Sequence, residues 1–282
     1  MNNSELRTEL LSRYGVEDSA RFNPAQAVAA RVAYLKDFVR STGVKGFVLG
    51  ISGGVDSTAA GKLAQLACSQ LRDEGVEAHF IAVRLPAGVQ RDESDAQAAL
   101  AFIEPDAVAT VNVGPAASEL NSQCLNAVRL VGKASLRAEQ MDFHKGNLKA
   151  RLRMAAQYHL AAAHGCAVLG TDHAAEAVMG FYTKFGDGAC DLLVLNGMNK
   201  TQVRMCAQHM GAPEPLWAKA PTADLEELAP GKLDEEALGV PYALLDAYLE
   251  GKPVPLEVEA RILAQYRATR HKREPIVEFS VA

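Results

Sequence analysis

The residues Ser52 to Ser57, Ser-Gly-Gly-Val-Asp-Ser, have the types and the order that a phosphate-binding turn requires. They follow an apolar run, residues 47–51, that is typical of a short buried strand. They precede a segment with helical spacing that begins near Asp56. A glycine turn between a strand and a helix N-terminus directs free backbone N–H groups and the positive end of the helix dipole at one point. The pattern therefore predicts an anion site, to which Thr58 and the loop serines add hydroxyl donors.

Two carboxylates indicate that this anion site also needs a cation. The loop lacks the Gly-Lys-Ser/Thr ending of the common ATPase loop, and Asp56 stands where a phosphate would lie. A carboxylate beside a phosphate requires a metal ion between them, most simply Mg²⁺. Glu176, in the first turn of a later helix, would repel Asp56 unless a divalent cation joined them. Taken alone, Glu176 is better explained as an acidic residue that the helix dipole favours.

The composition excludes several classes of protein. The chain has 282 residues, of which 49% are hydrophobic and 22% are charged, so disorder and fibrous repeats are not expected. A net charge of −5 argues against nucleic acid as a partner. The five cysteines are scattered and form no Cys-x-x-Cys pair, which fits a reducing cytoplasm. We expect no signal peptide and no membrane span, because no apolar run approaches the roughly 20 residues that a span needs.

Strands alternate with helices at a spacing that predicts a doubly wound α/β fold, a parallel sheet flanked by helices on both faces. Ligands in such sheets bind at the carboxyl ends of the strands, here Ser52, Arg84, residues 112–113 and Thr171. We predict irregular chain at 132–147, a glycine-rich loop at 183–198, and an irregular, mobile segment at 212–233. The predicted strands are 47–51, 78–85, 107–113 and 166–170.

The whole chain, residues 1–282, is expected to form a single domain, since no internal repeat or interdomain linker is visible. An N-terminal helix, 23–41, opens on Asn23-Pro24, a typical cap followed by proline at the first helical position. C-terminal helices between 234 and 272 are broken near residues 249–253. Both helical regions are predicted to pack on the sheet domain.

Motifs along most of the chain resemble those of one enzyme family. The first loop is similar to the SGGxDS loop of the N-type ATP pyrophosphatases. The further segments are 83–86 (Val-Arg-Leu-Pro), 147–151 (Asn-Leu-Lys-Ala-Arg), 170–176 (Gly-Thr-Asp-His-Ala-Ala-Glu), 183–188 (Thr-Lys-Phe-Gly-Asp-Gly), 219–225 (Lys-Ala-Pro-Thr-Ala-Asp-Leu), 246–250 (Asp-Ala-Tyr-Leu-Glu) and 271–273 (His-Lys-Arg). Together they resemble ammonia-dependent NAD synthetase, in order from about residue 25 to residue 279. The resemblance implies a Rossmann-like fold of the adenine-nucleotide α-hydrolase type.

The resemblance implies ATP-dependent amidation of deamido-NAD to NAD by free ammonia, because the chain has no glutaminase motif. The substrate carboxylate would attack ATP to form an NAD-adenylate and pyrophosphate, and ammonia would then displace AMP. Mg²⁺ would be held by Asp56 and Glu176. The family acts as a homodimer with the dinucleotide at the interface, and residues 23–40 and 115–131 are our candidates for that contact.

The same resemblance assigns roles to individual residues. Asp187 would receive ammonium and take a proton from it, and Lys200 would offset charge on the leaving pyrophosphate, together with Asp56 as the catalytic set. The expected ATP contacts are Gly50, Ile51, Ser52, Gly53, Gly54, Val55, Asp56, Ser57, Arg84, Thr171, Lys200 and Thr222. The expected deamido-NAD contacts are Arg151, Lys184, Asp191, His271 and Lys272.

Simpler explanations exist for several of these residues. Thr171 could be a helix N-cap, and the isolated cations could be solvated surface charges. His173 is better explained as a histidine that fills a helix N-terminus. The chain also departs from the family pattern, with Ala87 where we expect tyrosine and an apolar run at 189–194. These departures bear most on Asp191 and Lys200.

Rival functions remain open at this stage. A GMP-synthetase-type adenylating module shares the loop but not the 171–176 segment. A tRNA-modifying ATP pyrophosphatase would need paired cysteines and a basic face, and neither is present. A non-catalytic nucleotide-binding module would not need both Asp56 and Glu176.

Overall fold

Five parallel β-strands form the centre of the molecule. The computed structural model describes residues 2–88, 93–132, 137–223, 226–228, 231–276 and 278–279. The strands are β1 (Gly46–Gly50), β2 (His79–Arg84), β3 (Ala107–Thr110), β4 (Ala167–Gly170) and β5 (Leu192–Leu193). Their order in the sheet is β3-β2-β1-β4-β5, and every neighbouring pair is parallel. The order reverses beside β1, so the loop that follows β1 opens at the point where a doubly wound sheet binds its ligand.

Helices cover both faces of the sheet. In the described residues they are α1 (Asn3–Tyr14), α2 (Pro24–Thr42), α3 (Val55–Asp73), α4 (Glu93–Ile103), α5 (Gly114–Val131), α6 (Ala138–His164), α7 (Ala174–Met179), α8 (Lys200–His209), α9 (Glu214–Ala218), α10 (Asp234–Leu238), α11 (Tyr242–Leu249), α12 (Leu256–Ala268) and α13 (Arg270–Arg273). A short antiparallel pair, β6 (Thr222–Ala223) and β7 (Lys232–Leu233), precedes α10.

The two-residue repeat of the strands divides the core between these faces. Phe47 and Leu49 of β1 face a core built with α2, α3 and α8. Val48, between them, faces a second core, in which Ala161 and other residues of α6 also lie. All three β1 side chains are buried, as expected for a central parallel strand. The predicted doubly wound architecture is confirmed.

A third apolar cluster joins the two ends of the chain. Leu6 and Leu10 of α1 pack with Met179 of α7, with Tyr248 of α11 and with Ile262 of α12. The predicted N-terminal helix is α2, and Asn23 caps it by accepting a hydrogen bond from the backbone N–H of Gln26, 3.2 Å away. The predicted C-terminal helical region is present as the four helices α10 to α13.

The prediction of irregular chain at 132–147 is wrong from residue 138 onward. Helix α6 begins at Ala138 and continues without a break to His164, where Gly165 ends it in the left-handed conformation. The early turns bury Asp142 and Lys149 rather than an apolar stripe. A helix whose inward side is polar has no hydrophobic period to reveal it, which explains the error.

The predicted loop at 183–198 contains a fifth strand that the sequence did not reveal. Leu192 and Leu193 form β5, which pairs with Leu169 and Gly170 of β4. Two residues are too few to show alternation, so this edge strand has no sequence signal. The segment 212–233, predicted as irregular, contains α9 and the β6–β7 pair.

None of the helices that the structure describes has both the length and the apolar character needed to cross a lipid bilayer.

The glycine turn after β1 provides a test of how closely α4 supports the loop. Gly53 has φ +90°, and a Cβ there would lie 2.7 Å from the backbone nitrogen of Ala96. Gly54 has φ −74°, and its Cβ would meet nothing closer than the Ser52 hydroxyl at 3.4 Å. We expect Gly53→Ala to lower the free energy of unfolding by about 2 kcal/mol or more, through backbone strain and a clash with main chain.

The neighbouring glycine is the matched control. Gly54→Ala should cost less than about 1 kcal/mol, because only a poorer helix N-cap results. Urea unfolding of both variants measures the difference. Equal losses would mean that α4 does not constrain the turn.

Candidate active site

The loop between β1 and α3 is held in an open turn by its own serines. The Ser52 and Ser57 hydroxyls lie 3.1 Å apart, and the backbone N–H of Gly54 donates to the Ser52 hydroxyl at 3.2 Å. The hydroxyl of Thr58 donates to the carbonyl of Gly54. Within the described part of the chain, no side chain caps the N-terminus of α3. The first turn of α3 therefore offers N–H groups to a ligand, as an anion site requires.

A cavity of about 720 Å³ lies over this loop, at the carboxyl edge of the sheet. Its walls come from α6, from the segment that follows β4, from α8, and from the β6–β7 pair with the start of α10. Many residues with predicted site roles line it. They are Gly50, Ile51, Ser52, Gly54, Val55, Asp56, Ser57, Thr171, Glu176, Asp187, Lys200, Thr222 and Lys272.

A buried charge centre forms part of the cavity lining. Lys200 Nζ donates to Asp56 Oδ2 at 2.6 Å and lies 3.6 Å from Glu176 Oε1. His173 Nε2 lies 3.4 Å from Lys200 Nζ, 3.4 Å from Glu176 Oε1 and 3.7 Å from Asp56 Oδ1. The Lys200 side chain is 1% exposed and that of His173 is fully buried. Residues that are 144 positions apart in the chain thus form one cluster.

Three helix N-termini converge on this centre. Asp56 lies in the first turn of α3, Glu176 lies in the first turn of α7, and Lys200 is the first residue of α8. A carboxylate is favoured at a helix N-terminus, whereas an ammonium group is not. Lys200 is therefore held in place by the two carboxylates against the dipole of its own helix.

The charged groups at this centre shift one another's pKa values. Burial alone would raise the pKa of Glu176, but the interactions with His173 and Lys200 outweigh it and lower that pKa to about 2. Burial would lower the pKa of Lys200, yet the attraction of Asp56 and Glu176 raises it. The ammonium group is consequently charged at neutral pH, and so is Glu176.

The backbone of Lys200 is fixed by a residue whose role the sequence did not reveal. Asp246 of α11 accepts hydrogen bonds from the backbone N–H of Lys200 (3.3 Å) and from both the N–H (2.9 Å) and the hydroxyl (2.7 Å) of Thr201. Asn199, which directly precedes α8, is the N-cap residue of the same helix. Asp246 therefore acts as a second cap, from 46 residues away, a separation at which sequence pattern gives no signal.

The cluster fits a divalent cation. Asp56 Oδ1 is buried and has no hydrogen-bond partner among the residues that the structure describes. Among the described residues, ligand atoms of Asp56, His173 and Glu176 all lie within 4.8 Å of one another. Two carboxylates match the oxygen ligands that Mg²⁺ prefers, and an unpaired buried carboxylate oxygen is costly unless a cation or a donor approaches it.

Asp187 lies at another part of the cavity wall. Its Oδ1 accepts a hydrogen bond from the backbone N–H of Thr183 at 3.0 Å. Lys272 Nζ donates to the carbonyls of Gly180 (2.7 Å) and Tyr182 (2.6 Å) in the same segment. Asp187 is accessible from the cavity, but enough protein surrounds its carboxylate that desolvation raises its pKa. Such a carboxylate can accept a proton from a ligand in the cavity.

Some predicted site residues do not line the cavity within this single chain. Arg151, Lys184 and His271 form a chain of contacts next to it, since Arg151 Nε donates to the Lys184 carbonyl and Lys184 Nζ donates to the His271 carbonyl. Arg84 is buried and pairs with Glu93 at 2.7 Å. The predicted ligand contacts of these four residues remain predictions.

Asp191 has contacts that hold the sheet. Its Oδ2 accepts the backbone N–H of Val168 at 2.7 Å, and its Oδ1 accepts the Tyr158 hydroxyl at 3.3 Å. These bonds lie where β5 joins β4, and Asp191 itself is not among the residues that line the cavity. Its predicted contact with deamido-NAD remains a prediction.

Asp234 is a buried carboxylate that sequence reasoning missed. It lines the cavity at the start of α10 and is 7% exposed. Burial is the main cause that raises its pKa to about 6. The Lys200 ammonium lowers that pKa, whereas the charges of Glu176 and Asp56 raise it. Its position behind the proline-rich segment gave no periodic signal.

The Asp234 pKa gives a testable dependence of stability on pH. An acid whose pKa is raised from 3.8 to about 6 on folding stabilises the folded state only at low pH, and this contribution is lost as the pH rises through 6. In metal-free, ligand-free protein, Asp234→Asn should raise the free energy of unfolding at pH 7.5 by about 1 to 3 kcal/mol. The gain should disappear near pH 4.

Urea unfolding at the two pH values measures this effect, with Glu236→Gln, an exposed acid of the same helix, as the control. A loss of stability at pH 7.5 in Asp234→Asn would show that the Asp234 charge is favourable, contrary to this account.

Comparisons with known proteins identify the family. The family model described as NAD synthase matches residues 27–276. The NH(3)-dependent NAD(+) synthetase of Rhodococcus erythropolis is 52% identical over 95% of this chain and 94% of its own. The enzyme of the same name from Vibrio vulnificus is 52% identical over 90% of this chain and 93% of its own.

Solved structures agree with this. NAD+ synthetase from Burkholderia pseudomallei superposes with a TM-score of 0.79 at 46% identity, covering 96% of this chain and 97% of that one. NMN synthetase from Francisella tularensis gives the same TM-score at 30% identity, covering 92% of this chain and all of that one. The expected Rossmann-like fold of the adenine-nucleotide α-hydrolase type is confirmed. The family model and these relatives each match about nine-tenths or more of the sequence. The chain therefore belongs to the NAD synthase family.

Proposed function

We propose that this protein catalyses the ATP-dependent amidation of deamido-NAD by ammonia, with NAD, AMP and pyrophosphate as products. One observation carries the proposal most directly. The uncapped turn before α3 opens into the same cavity as the buried Asp56–Glu176–Lys200 centre. An anion site beside carboxylates that can hold a cation is suited to a nucleotide triphosphate, and the family names of the relatives agree with it.

The part of the site that we assign to phosphate combines backbone N–H groups with charged side chains. We assign the outer phosphates of ATP to the backbone N–H groups at Ser52–Ser57 and to Thr222, which lines the same cavity. Asp56 and Glu176 would hold Mg²⁺, which when bound offsets the negative charge of the phosphates. Lys200 supplies a positive charge for the oxygen that becomes the leaving group.

The first half-reaction activates the substrate carboxylate. The nicotinate carboxylate of deamido-NAD attacks the α-phosphorus of ATP, a new oxygen–phosphorus bond forms, and the bond to pyrophosphate breaks. This gives an NAD-adenylate, in which AMP has replaced a poor leaving group. Exclusion of water protects the adenylate from hydrolysis, and residues 219–222 at the cavity wall are placed to contribute to it.

The second half-reaction requires neutral ammonia. Ammonium has no lone pair, and Asp187, whose pKa is raised by desolvation, is suited to accept its proton. Ammonia then attacks the activated carbonyl carbon, and the carbon–oxygen bond to AMP breaks. Thr183 orients the Asp187 carboxylate through its backbone N–H.

We further propose a cytoplasmic homodimer that binds deamido-NAD near the subunit interface. Arg151, Lys184 and His271 would then contact a ligand that extends beyond the single-chain cavity, together with Lys272. Of the two predicted contact helices, α5 is the better candidate, because it buries only Ala117 and exposes apolar residues. These exposed residues are Leu120, Leu130 and Val131. Helix α2 already buries its apolar face within the chain.

Nicotinate mononucleotide is a second candidate acceptor, because the neighbour at 30% identity is named NMN synthetase. The same adenylation chemistry would act on the nicotinate mononucleotide. The relatives do not favour the GMP-synthetase-type or tRNA-modifying alternatives.

One assay separates these functions. The protein is mixed with ATP, Mg²⁺, ammonium and either deamido-NAD or nicotinate mononucleotide, and the amide product, AMP and pyrophosphate are measured together. Equal amounts of NAD, AMP and pyrophosphate with deamido-NAD support the proposal. ADP in place of AMP, or a preference for the mononucleotide, would contradict it.

Replacement of Asp56 tests the phosphate end. Asp56→Asn should lower pyrophosphate release by about a hundredfold or more, since it removes the charge that holds the cation. The fold should survive, because Glu176 remains 3.6 Å from the buried ammonium of Lys200. Asp73→Asn, an exposed acid at the other end of α3, is the control. Normal turnover in Asp56→Asn would remove Asp56 from the mechanism.

Replacement of Asp187 tests the ammonia step separately. Asp187→Asn should reduce NAD formation at neutral pH by about tenfold or more, because the proton acceptor is lost. Pyrophosphate release in a single turnover without ammonium should change little. Rapid-quench measurement of both half-reactions provides the contrast, and equal loss in the two would assign Asp187 a role in binding rather than in proton transfer.

A further inference from the structure

The ammonium group of Lys200 occupies the place that a divalent cation would need. Its Nζ lies 2.6 Å from Asp56 Oδ2, 3.6 Å from Glu176 Oε1 and 3.4 Å from His173 Nε2. The ligand atoms of those same three residues lie within 4.8 Å of one another. The positive charge among these three residues is therefore the ammonium group of Lys200.

A metal ion and this ammonium cannot share these ligands. Two cations at such separations repel strongly in a buried site, where screening by water is weak. Every ligand oxygen that turns toward a metal ion also weakens the hold on Lys200, which is 1% exposed and contacts no other carboxylate of the described residues. Metal binding and the present position of Lys200 are consequently in competition.

A second position for the Lys200 ammonium group is available within the cavity. Its side chain lines the 720 Å³ cavity and carries its charge on a flexible four-carbon stem. Its backbone is fixed independently, through the hydrogen bond from its N–H to Asp246. The ammonium can thus swing while α8 stays in place, provided that an anion in the cavity receives it.

We propose that Lys200 acts as an internal counter-ion that prevents metal binding to the nucleotide-free site. Lys200 leaves the metal ligands only when ATP phosphates bind. The metal ion then enters with the nucleotide, and Lys200 transfers from Asp56 to a phosphate oxygen. This inference rests on the proposed function only for the role of Asp56 and Glu176 as cation ligands. It adds an order of loading, with no stable complex of metal and protein alone.

The consequence is a thermodynamic coupling that can be measured without turnover. Removing the ammonium should free the ligands, so Lys200→Met should bind metal in the absence of nucleotide about tenfold more tightly than the wild type, within the usual range of coupling free energies. Because coupling is reciprocal, a non-hydrolysable ATP analogue should raise metal affinity strongly in the wild type and less in the variant.

Titration with Mn²⁺, followed by the paramagnetic resonance signal of the free ion, measures these affinities. Lys219→Met is the matched control, since Lys219 also lines the cavity but is exposed and pairs with Asp95. The double variant Lys200→Met/Asp56→Asn locates the binding, because it should lose the gain. Circular dichroism checks the fold, and Lys200→Gln replaces Lys200→Met if the latter does not fold.

The outcomes are distinct. A gain in Lys200→Met that is absent from Lys219→Met and from the double variant supports the inference. An affinity within twofold of wild type, or an equal gain in Lys219→Met, overturns it. The titration uses no deamido-NAD or ammonia, so NAD formation without this gain contradicts only the counter-ion role, and the gain without NAD formation contradicts only the proposed function.

Discussion

The structure depends on a buried cluster of opposite charges at the point where three helices begin. Asp56, Glu176 and Lys200 come from α3, α7 and α8, and none of them could be buried there alone. Desolvation of a single charge in such a place costs several kcal/mol, on the order of a large part of a domain's stability. The cluster is tolerable only because opposite charges lie in contact, so the fold must deliver all three side chains to one point.

This constraint explains the arrangement around the cluster. The sheet places α3 and α7 after adjacent strands, β1 and β4, so that both helix N-termini open at the same edge. Helix α8 follows the edge strand β5 and is held by Asp246, which caps it from α11. The C-terminal helices therefore serve the site as well as the core.

A great deal of this could be predicted from sequence, for a physical reason. The turn at Ser52–Ser57 is local, because strand, glycines and helix start follow one another directly in the chain. The parallel sheet then places Thr171 and Glu176 beside it, since carboxyl ends of parallel strands share an edge. Lys200 followed from the family resemblance, and the structure places it against Asp56.

The parts that could not be predicted rest on contacts without a local pattern. Helix α6 buries polar residues in its first turns, so hydrophobic periodicity does not mark its start at Ala138. His173 was expected to fill a helix N-terminus, and it is the N-cap residue of α7. Its side chain makes no capping hydrogen bond among the described residues, and its Nε2 faces all three charged groups instead. Asp234 is a pocket carboxylate only because tertiary structure encloses it.

The charge cluster also explains why the cavity can serve two kinds of chemistry. One part of its lining combines helix N-termini with a buried cation, which suits phosphate. Another part contains the desolvated carboxylate of Asp187, which suits the acceptance of a proton from ammonium. A crystal structure with Mg²⁺ and an ATP analogue that cannot be cleaved between its α and β phosphates is the most direct test. The account predicts the outer phosphates against Ser52–Ser57, with Lys200 Nζ bound to a phosphate oxygen, and phosphates bound elsewhere in the cavity would contradict it.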